Sequence, residues 1–153
     1  MHTDVYLSLD NFDFVDQIDE LDRSIFETEG WGREDFIKNM KNSYDNVLLL
    51  LSEKGEAIAY AVIRNLGIAE ILRIGVSPKY RRNGYASLIM NKIIDISKKN
   101  NAESLLLEVR SGNEAAIGLY RHFGFKEIDV RKKYYSKPVE DALIMELVLE
   151  RNC

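Results

Sequence analysis

The sequence predicts a mixed α/β fold, a mostly antiparallel sheet with helices on both faces, and three observations carry that prediction. Three β-like runs follow one another, NVLLLLS, EAIAYAVIRNL and AEILRIGV, with the tight turn EKG between the first two, which makes an antiparallel meander. The third run passes through a turn into an amphipathic helix and then into SLLLEV, and strand, helix, strand implies a parallel crossover. Two further strands, about Phe125 to Arg131 and Ala142 to Leu149, complete the sheet.

Each element has its own reason. The first strand is VYLSL, Val5 to Leu9, where Val5, Leu7 and Leu9 alternate with polar neighbours. Phe14, Ile18, Leu21 and Ile25 then recur at helical spacing, with acidic residues on the other side, and a shorter helix covers Arg33 to Lys41. The crossover helix follows Gly84 and puts Ala86, Ile89, Met90, Ile93 and Ile96 on one face, opposite Ser87, Asn91, Asp95 and Lys98. Asn113 to Phe123 reads as the last helix, with Asn113 as its N-cap and Gly124 at its end.

The 153 residues fit one domain spanning residues 1–153, since a chain of this length can bury a core without staples. No Gly/Ser-rich stretch or internal repeat marks a second domain. Apolar residues at 46% and charged residues at 30% match folded globular chains, and a net charge of −4 disfavours nucleic acid as a partner while leaving room for a local phosphate site. Cys153 is the single cysteine and His2 and His122 are isolated, so neither a metal site nor a thiol nucleophile is expected. The start of the chain is rich in aspartate and no later run approaches the ~18 apolar residues of a membrane span, which leads us to expect a cytoplasmic protein away from membranes. The sequence does not set the oligomeric state.

The turn SPKYRRNGYA between the third strand and the crossover helix carries the first functional signal. Pro78 ends the strand, Gly84 permits close backbone approach, and the helix start adds its partial positive charge to Arg81 and Arg82. Such a turn suits a pyrophosphate. A solvated basic turn explains the same residues equally well, because neither GxGxxG nor GxxxxGK[ST] is present.

Arg81, Gly84 and Ala86 match [RQ]xxGx[GA], and the stretches ILRIGVSPKYRRNGYASLIM, LLLEVRSGNEAAIGLYRHFGF and RKKYYSKPVEDALIMEL follow in order. In these the chain resembles the GNAT acetyltransferases, and within them the RimI-type ribosomal-protein alanine N-acetyltransferases, over roughly Ala69 to Leu147. The resemblance implies the acyl-CoA N-acyltransferase fold, acetyl-CoA as co-substrate and a protein or peptide N-terminus, such as that of a ribosomal protein, as acceptor. Two departures stand out. Gly75 lies where RimI-type sequences usually carry alanine, and Gly30-Trp31-Gly32 resembles the family's aromatic segment without its proline.

The resemblance also implies residue roles. Arg81, Arg82, Asn83, Gly84, Tyr85, Ala86 and Ser87 would hold the diphosphate, Asn113 and Ala116 the coenzyme, and the backbone of Ile74 and Val76 the pantetheine, with the Val76 N–H facing the acetyl carbonyl. Glu108 has two readings: an ion pair with Arg110 or with a residue across the sheet, or, by resemblance to the LEVR glutamate, a general base. Tyr120 is a core aromatic on spacing alone; the resemblance makes it the acid that protonates the leaving thiolate. Glu29, Trp31, Tyr134 and Tyr135 are candidates for the acceptor groove, against ordinary packing of aromatics. Arg131, Lys132 and Lys133 read as a solvated strand end. Acetylation of a small amine (a polyamine or an aminoglycoside) and a non-catalytic acyl-CoA-binding domain are the alternatives.

Overall fold

The computed structural model describes residues 2–7, 14–136 and 138–150. The described residues form seven strands and four α-helices: β1 (His2–Leu7), α1 (Val15–Phe26), α2 (Arg33–Lys41), β2 (Asp45–Ser52), β3 (Ala57–Asn65), β4 (Ala69–Val76), α3 (Tyr85–Lys99), β5 (Ser104–Arg110), α4 (Glu114–His122), β6 (Lys126–Ser136) and β7 (Val139–Val148). This is the mixed α/β fold that the sequence predicts. The contacts divide the chain into two compact units, residues 1–64 with 72–93, and residues 65–71 with 94–153.

In the first unit β1 pairs antiparallel with β2, and β2 with β3. Val47 to Leu51 and Ile58 to Ile63 are buried without a break, as strands covered on both faces must be. Val15, Ile18 and Leu21 of α1 and Phe36 of α2 pack with Val47, Leu49, Leu51, Tyr60 and Val62 into one core. The helical spacing of α1 thus finds its apolar face. The first half of α3 buries Ile89, Met90 and Ile93. β1 starts earlier than the predicted Val5; Leu9, the last residue of that prediction, lies outside the described residues.

In the second unit the start of β4 runs parallel to β5 (Ala69 with Leu105, Glu70 with Leu106), the expected crossover. β7 pairs antiparallel with β5 and β6. Along β5 the residues Leu105, Leu107 and Val109 are buried while Leu106, Glu108 and Arg110 are half-buried, so the alternation read from the sequence puts Glu108 on the more open face. Asn113 caps α4 by accepting from Ala116 N (3.2 Å), and Gly124, at φ +99°, ends it. β6 and β7 run well past their predicted limits. The ladder between them continues to Ser136 opposite Val139.

Candidate active site

In the first unit the chain leaves β4 through a 3₁₀ turn, Pro78–Tyr80, and enters α3 at Tyr85. Arg82 (φ +65°) and Gly84 (φ +78°) both adopt the left-handed conformation, unusual for an arginine, and alternating backbone of this kind turns successive N–H groups toward one point. Leu88 N donates to Gly84 O (3.0 Å) where α3 opens, and a helix start directs its leading N–H groups outward along the axis. Asn83 Nδ2 donates to the carbonyls of Tyr80 (3.1 Å) and Arg81 (3.0 Å), holding two acceptors away from that point. Glu56 accepts from Lys79 Nζ (3.0 Å) and the Tyr80 hydroxyl (2.8 Å), which fixes the base of the turn and, through the Lys79 bond first, holds the Glu56 carboxyl below its usual range. Arg81 to Gly84 are exposed. The result is an exposed, cationic amide nest at a helix start.

The same unit contains a polar network that sequence reading missed. Asp22, fully buried, accepts from Arg73 Nε (2.8 Å) and Nη2 (3.1 Å), from the Tyr60 hydroxyl and from the Trp31 backbone N–H (2.8 Å). Arg73 Nη2 also donates to Glu29 O (2.8 Å), and its guanidinium lies 3.7 Å from the Phe26 ring centre and 5.2 Å from that of Trp31. Burial, then the Asp22 bond, keeps the Tyr60 phenol protonated far above its ordinary range. Together these bonds anchor Glu29 and Trp31, two of the expected acceptor residues. Ile74 and Val76 are half-buried in β4, and between them Gly75 is buried.

Gly75 has a packing reason. A Cβ there would stand 2.7 Å from Tyr60 Cε1 and 2.8 Å from Ile25 Cδ1, and Tyr60 cannot retreat while its hydroxyl is held by Asp22. In this chain the Tyr60 ring and Ile25 fill the space that a side chain at position 75 would need. Gly75→Ala is therefore expected to lower the free energy of unfolding by ~1–3 kcal/mol, as overpacking does, measured by urea denaturation. An unchanged midpoint would refute the contact.

In the second unit, β5, β6 and β7 bring Glu108, Tyr134 and Tyr135 together. Glu108 Oε1 lies 3.3 Å from Arg131 Nη1, so its ion pair is the cross-sheet one, two strands away, while Arg110 pairs instead with Glu140 (3.4 Å). Small, buried Ala142 stands between Arg110 and Arg131 in the ladder, which leaves room for long side chains to cross β7. The Tyr134 phenol is raised by the Glu108 charge first and by its hydrogen bond to that carboxylate second. Tyr135 is raised by burial and then by Glu108, and Arg110 stacks 4.1 Å from its ring centre. The two tyrosine rings meet edge to face at 5.2 Å. Tyr120, buried on α4 against Phe125 (5.8 Å), has its phenol pushed up to about 12 by burial and then by Tyr135. Asn113 and Ala116 sit in the first turn of the same helix, where the Ala116 N–H is already taken by the cap.

Arg131, Lys132 and Lys133 are exposed, as expected, but they lie inside β6 and not at its end, and they have partners: Arg131 pairs with Glu108, and Asp141 accepts from Lys132 Nζ (3.4 Å) and Lys133 N (2.9 Å). A charge run alone does not reveal partners that arrive from another strand. Among the described residues no group of three His, Cys, Asp or Glu is placed to hold a metal ion, and no helix is long and apolar enough to cross a membrane.

The first unit thus carries an exposed, cationic turn with left-handed backbone at a helix start, and the second a strand carboxylate with two tyrosines beside it. The chain belongs to the Acetyltransferase (GNAT) family, whose model matches residues 15–125. It is 36% identical over 120 residues to the [ribosomal protein bS18]-alanine N-acetyltransferase of Escherichia coli K12, covering 76% of this chain and 80% of that protein. The corresponding Haemophilus influenzae protein is 33% identical over 123 residues, covering 78% and 82%. Among solved structures, the ribosomal-protein-S18-alanine N-acetyltransferase from Escherichia coli superposes with a TM-score of 0.87 at 28% identity, covering 100% of this chain and 97% of that one. The protein is an acetyl-CoA-dependent N-acetyltransferase.

Proposed function

We propose that this enzyme acetylates the N-terminal α-amino group of a protein, with the N-terminal alanine of a ribosomal protein as its acceptor, and that residues 1–153 work as one acetyltransferase domain in the cytoplasm. The observation that carries this reading is the Glu108 carboxylate with Tyr134 and Tyr135 beside it, in a chain that is over a third identical to an enzyme named for that acceptor. An α-amino group has a pKa of about 7.7–8 against about 10.4 for lysine, so a carboxylate base suffices to free it near neutral pH.

In this reading the nest from Arg81 to Ser87 binds the diphosphate of acetyl-CoA, Asn113 and Ala116 contact the coenzyme, and the β4 backbone at Ile74 and Val76 holds the pantetheine. The Val76 N–H stabilises the oxyanion that forms when the amine adds to the thioester carbonyl, a contribution of roughly 3 kcal/mol for one such donor. Glu29 and Trp31 of the first unit, and Tyr134 and Tyr135 of the second, are the residues assigned to contact the acceptor. Glu108 takes the proton of the attacking amine, directly or through water. Arg131 does not block it: the pair is half exposed, and such pairs are worth ~0–1 kcal/mol, so an arriving ammonium displaces the guanidinium at little cost. The amine nitrogen bonds to the acetyl carbon, the C–S bond breaks, and Tyr120 hydrogen-bonds the departing CoA sulfur.

At about 12 the Tyr120 phenol stays protonated and can donate a hydrogen bond to the sulfur as the C–S bond breaks; full proton transfer to a thiolate whose acid has a pKa of ~8.5 runs uphill and is completed by exchange with water. The sign is simple: a raised pKa extends the protonated donor form upward, so kcat should show no falling limb from this group below ~pH 11. Tyr120→Phe should lower kcat by ~10²-fold without reshaping the profile below that pH. Loss of an alkaline limb in the variant would mean that Tyr120 ionises earlier and acts otherwise.

Mass spectrometry of acetyl transfer to a panel decides the acceptor: peptides with free alanine N-termini, the same peptides blocked but with internal lysine, and polyamines. Product on free alanine termini is expected; product on spermidine alone would overturn the reading.

A further inference from the structure

β6 does not run as a regular strand. Arg131 pairs with Ala142 and Tyr135 with Glu140, so residues 132–134 share the single partner Asp141, a bulge with two extra residues. Lys133 sits at its apex with φ +51°, a conformation that costs an ordinary L-residue and persists only when its surroundings impose it. The surroundings are one side chain. Asp141 Oδ1 accepts from the Lys133 backbone N–H at 2.9 Å, Oδ2 meets Lys132 Nζ at 3.4 Å, and Asp141 is itself fixed by its carbonyl, which accepts from Ser111 N at 3.0 Å. The Lys133 bond, first among its causes, holds the Asp141 carboxyl below the usual carboxylate range.

The consequence lies in the next two residues after Lys133, Tyr134 and Tyr135. In a regular strand Tyr134 and Tyr135 would point to opposite faces. Here the Tyr134 ring centre lies 5.4 Å from the guanidinium of Arg131, the ion-pair partner of Glu108, and that of Tyr135 lies 4.1 Å from Arg110 on the Glu108 face of β5. The two rings touch, and the Glu108 charge raises both phenols, first among the causes for Tyr134 and after burial for Tyr135. We propose that Asp141 is a positioning residue: by holding the Lys133 bulge it aims two consecutive tyrosines at one carboxylate and so shapes the acceptor end of the site. This rests on the acceptor role given above to Glu108, Tyr134 and Tyr135.

The test uses the whole chain, a peptide with N-terminal alanine, and CoA as separate probes. Asp141→Ala should lower kcat/KM for the peptide by ~10- to 10²-fold, since loss of alignment is costly, while the Kd for CoA by calorimetry stays within about twofold. Asp141→Asn keeps an oxygen for the Lys133 N–H and should remain within about threefold of wild type. Adding Lys133→Gly to Asp141→Ala should restore most of the loss, because glycine takes a positive φ without help. A merely structural aspartate would show neither rescue. The proposal is overturned if Asp141→Ala keeps full peptide activity, if the asparagine variant is as poor as alanine, or if Lys133→Gly restores nothing. Should Asp141→Ala fail to fold, the double variant decides: folded and active supports the proposal, unfolded or inactive overturns it. A wild-type enzyme that acetylates no peptide removes the acceptor reading; an active wild type with an indifferent Asp141 removes the positioning role alone.

Discussion

Glu108→Gln should reduce kcat for acetyl transfer to an alanine-terminated peptide by ~10²–10⁴-fold, the range that a positioned general base supplies. The substitution is close to isosteric and removes the charge. Glutamine keeps an oxygen for the Tyr134 hydroxyl, so the phenol is not stranded. The lost Arg131 partner matters little to stability, because an ion pair with a half-exposed guanidinium contributes ~0–1 kcal/mol. Coenzyme binding should be unchanged, since the nest that is to hold the diphosphate involves other residues. The measurement is single-turnover kinetics with acetyl-CoA and peptide, beside a thermal melt and CoA calorimetry on the same sample. A folded variant that binds CoA and turns over within about threefold of wild type would remove Glu108 as the base. A variant that loses CoA affinity in step with kcat would point to damage at the coenzyme instead.

The local grammar of the chain made much of this fold readable before any coordinates. α2 lies at its expected Arg33–Lys41 and β4 at Ala69–Val76, and Asn113 and Gly124 bracket α4, because caps, glycines and apolar spacing act over a few residues. The alternation of β5 likewise put Glu108 on its open face. What escaped was what depends on partners brought from elsewhere. Lys133 is not a glycine or an asparagine, so nothing in its type announces a left-handed apex; the reason is Asp141, eight residues on and across a strand pair. Arg131 is a solvated cation, as it reads, but its pairing with Glu108 needed the register of β6, β7 and β5. Asp22, Tyr60 and Arg73 are 38 and 51 residues apart in the two bonds that join them, and each alone reads as an ordinary strand or helix residue. Only the packing of the first unit makes them one group.

That group sets the largest expected effect on stability. Asp22→Ala would leave the Arg73 guanidinium, 14% exposed, without its carboxylate, and would strand the buried Tyr60 hydroxyl and the Trp31 N–H. Removing one member of a buried pair costs ~3–5 kcal/mol because the remaining charge is neither solvated nor paired. Against a domain stability of roughly 5–15 kcal/mol, such a loss brings the fold close to its limit. Urea unfolding should show it as a large drop in midpoint with little change in slope. The desolvation argument also predicts the remedy: Asp22→Leu combined with Arg73→Met removes both charges together, and apolar replacements of a buried pair are often neutral or better. The double variant should therefore be more stable than Asp22→Ala, although Tyr60 still lacks its acceptor. A single variant that loses less than ~1 kcal/mol would mean that water reaches Arg73 in place of Asp22. A double variant no better than the single would mean that the hydrogen bonds to Tyr60 and Trp31, and not the charge pair, hold this part of the chain.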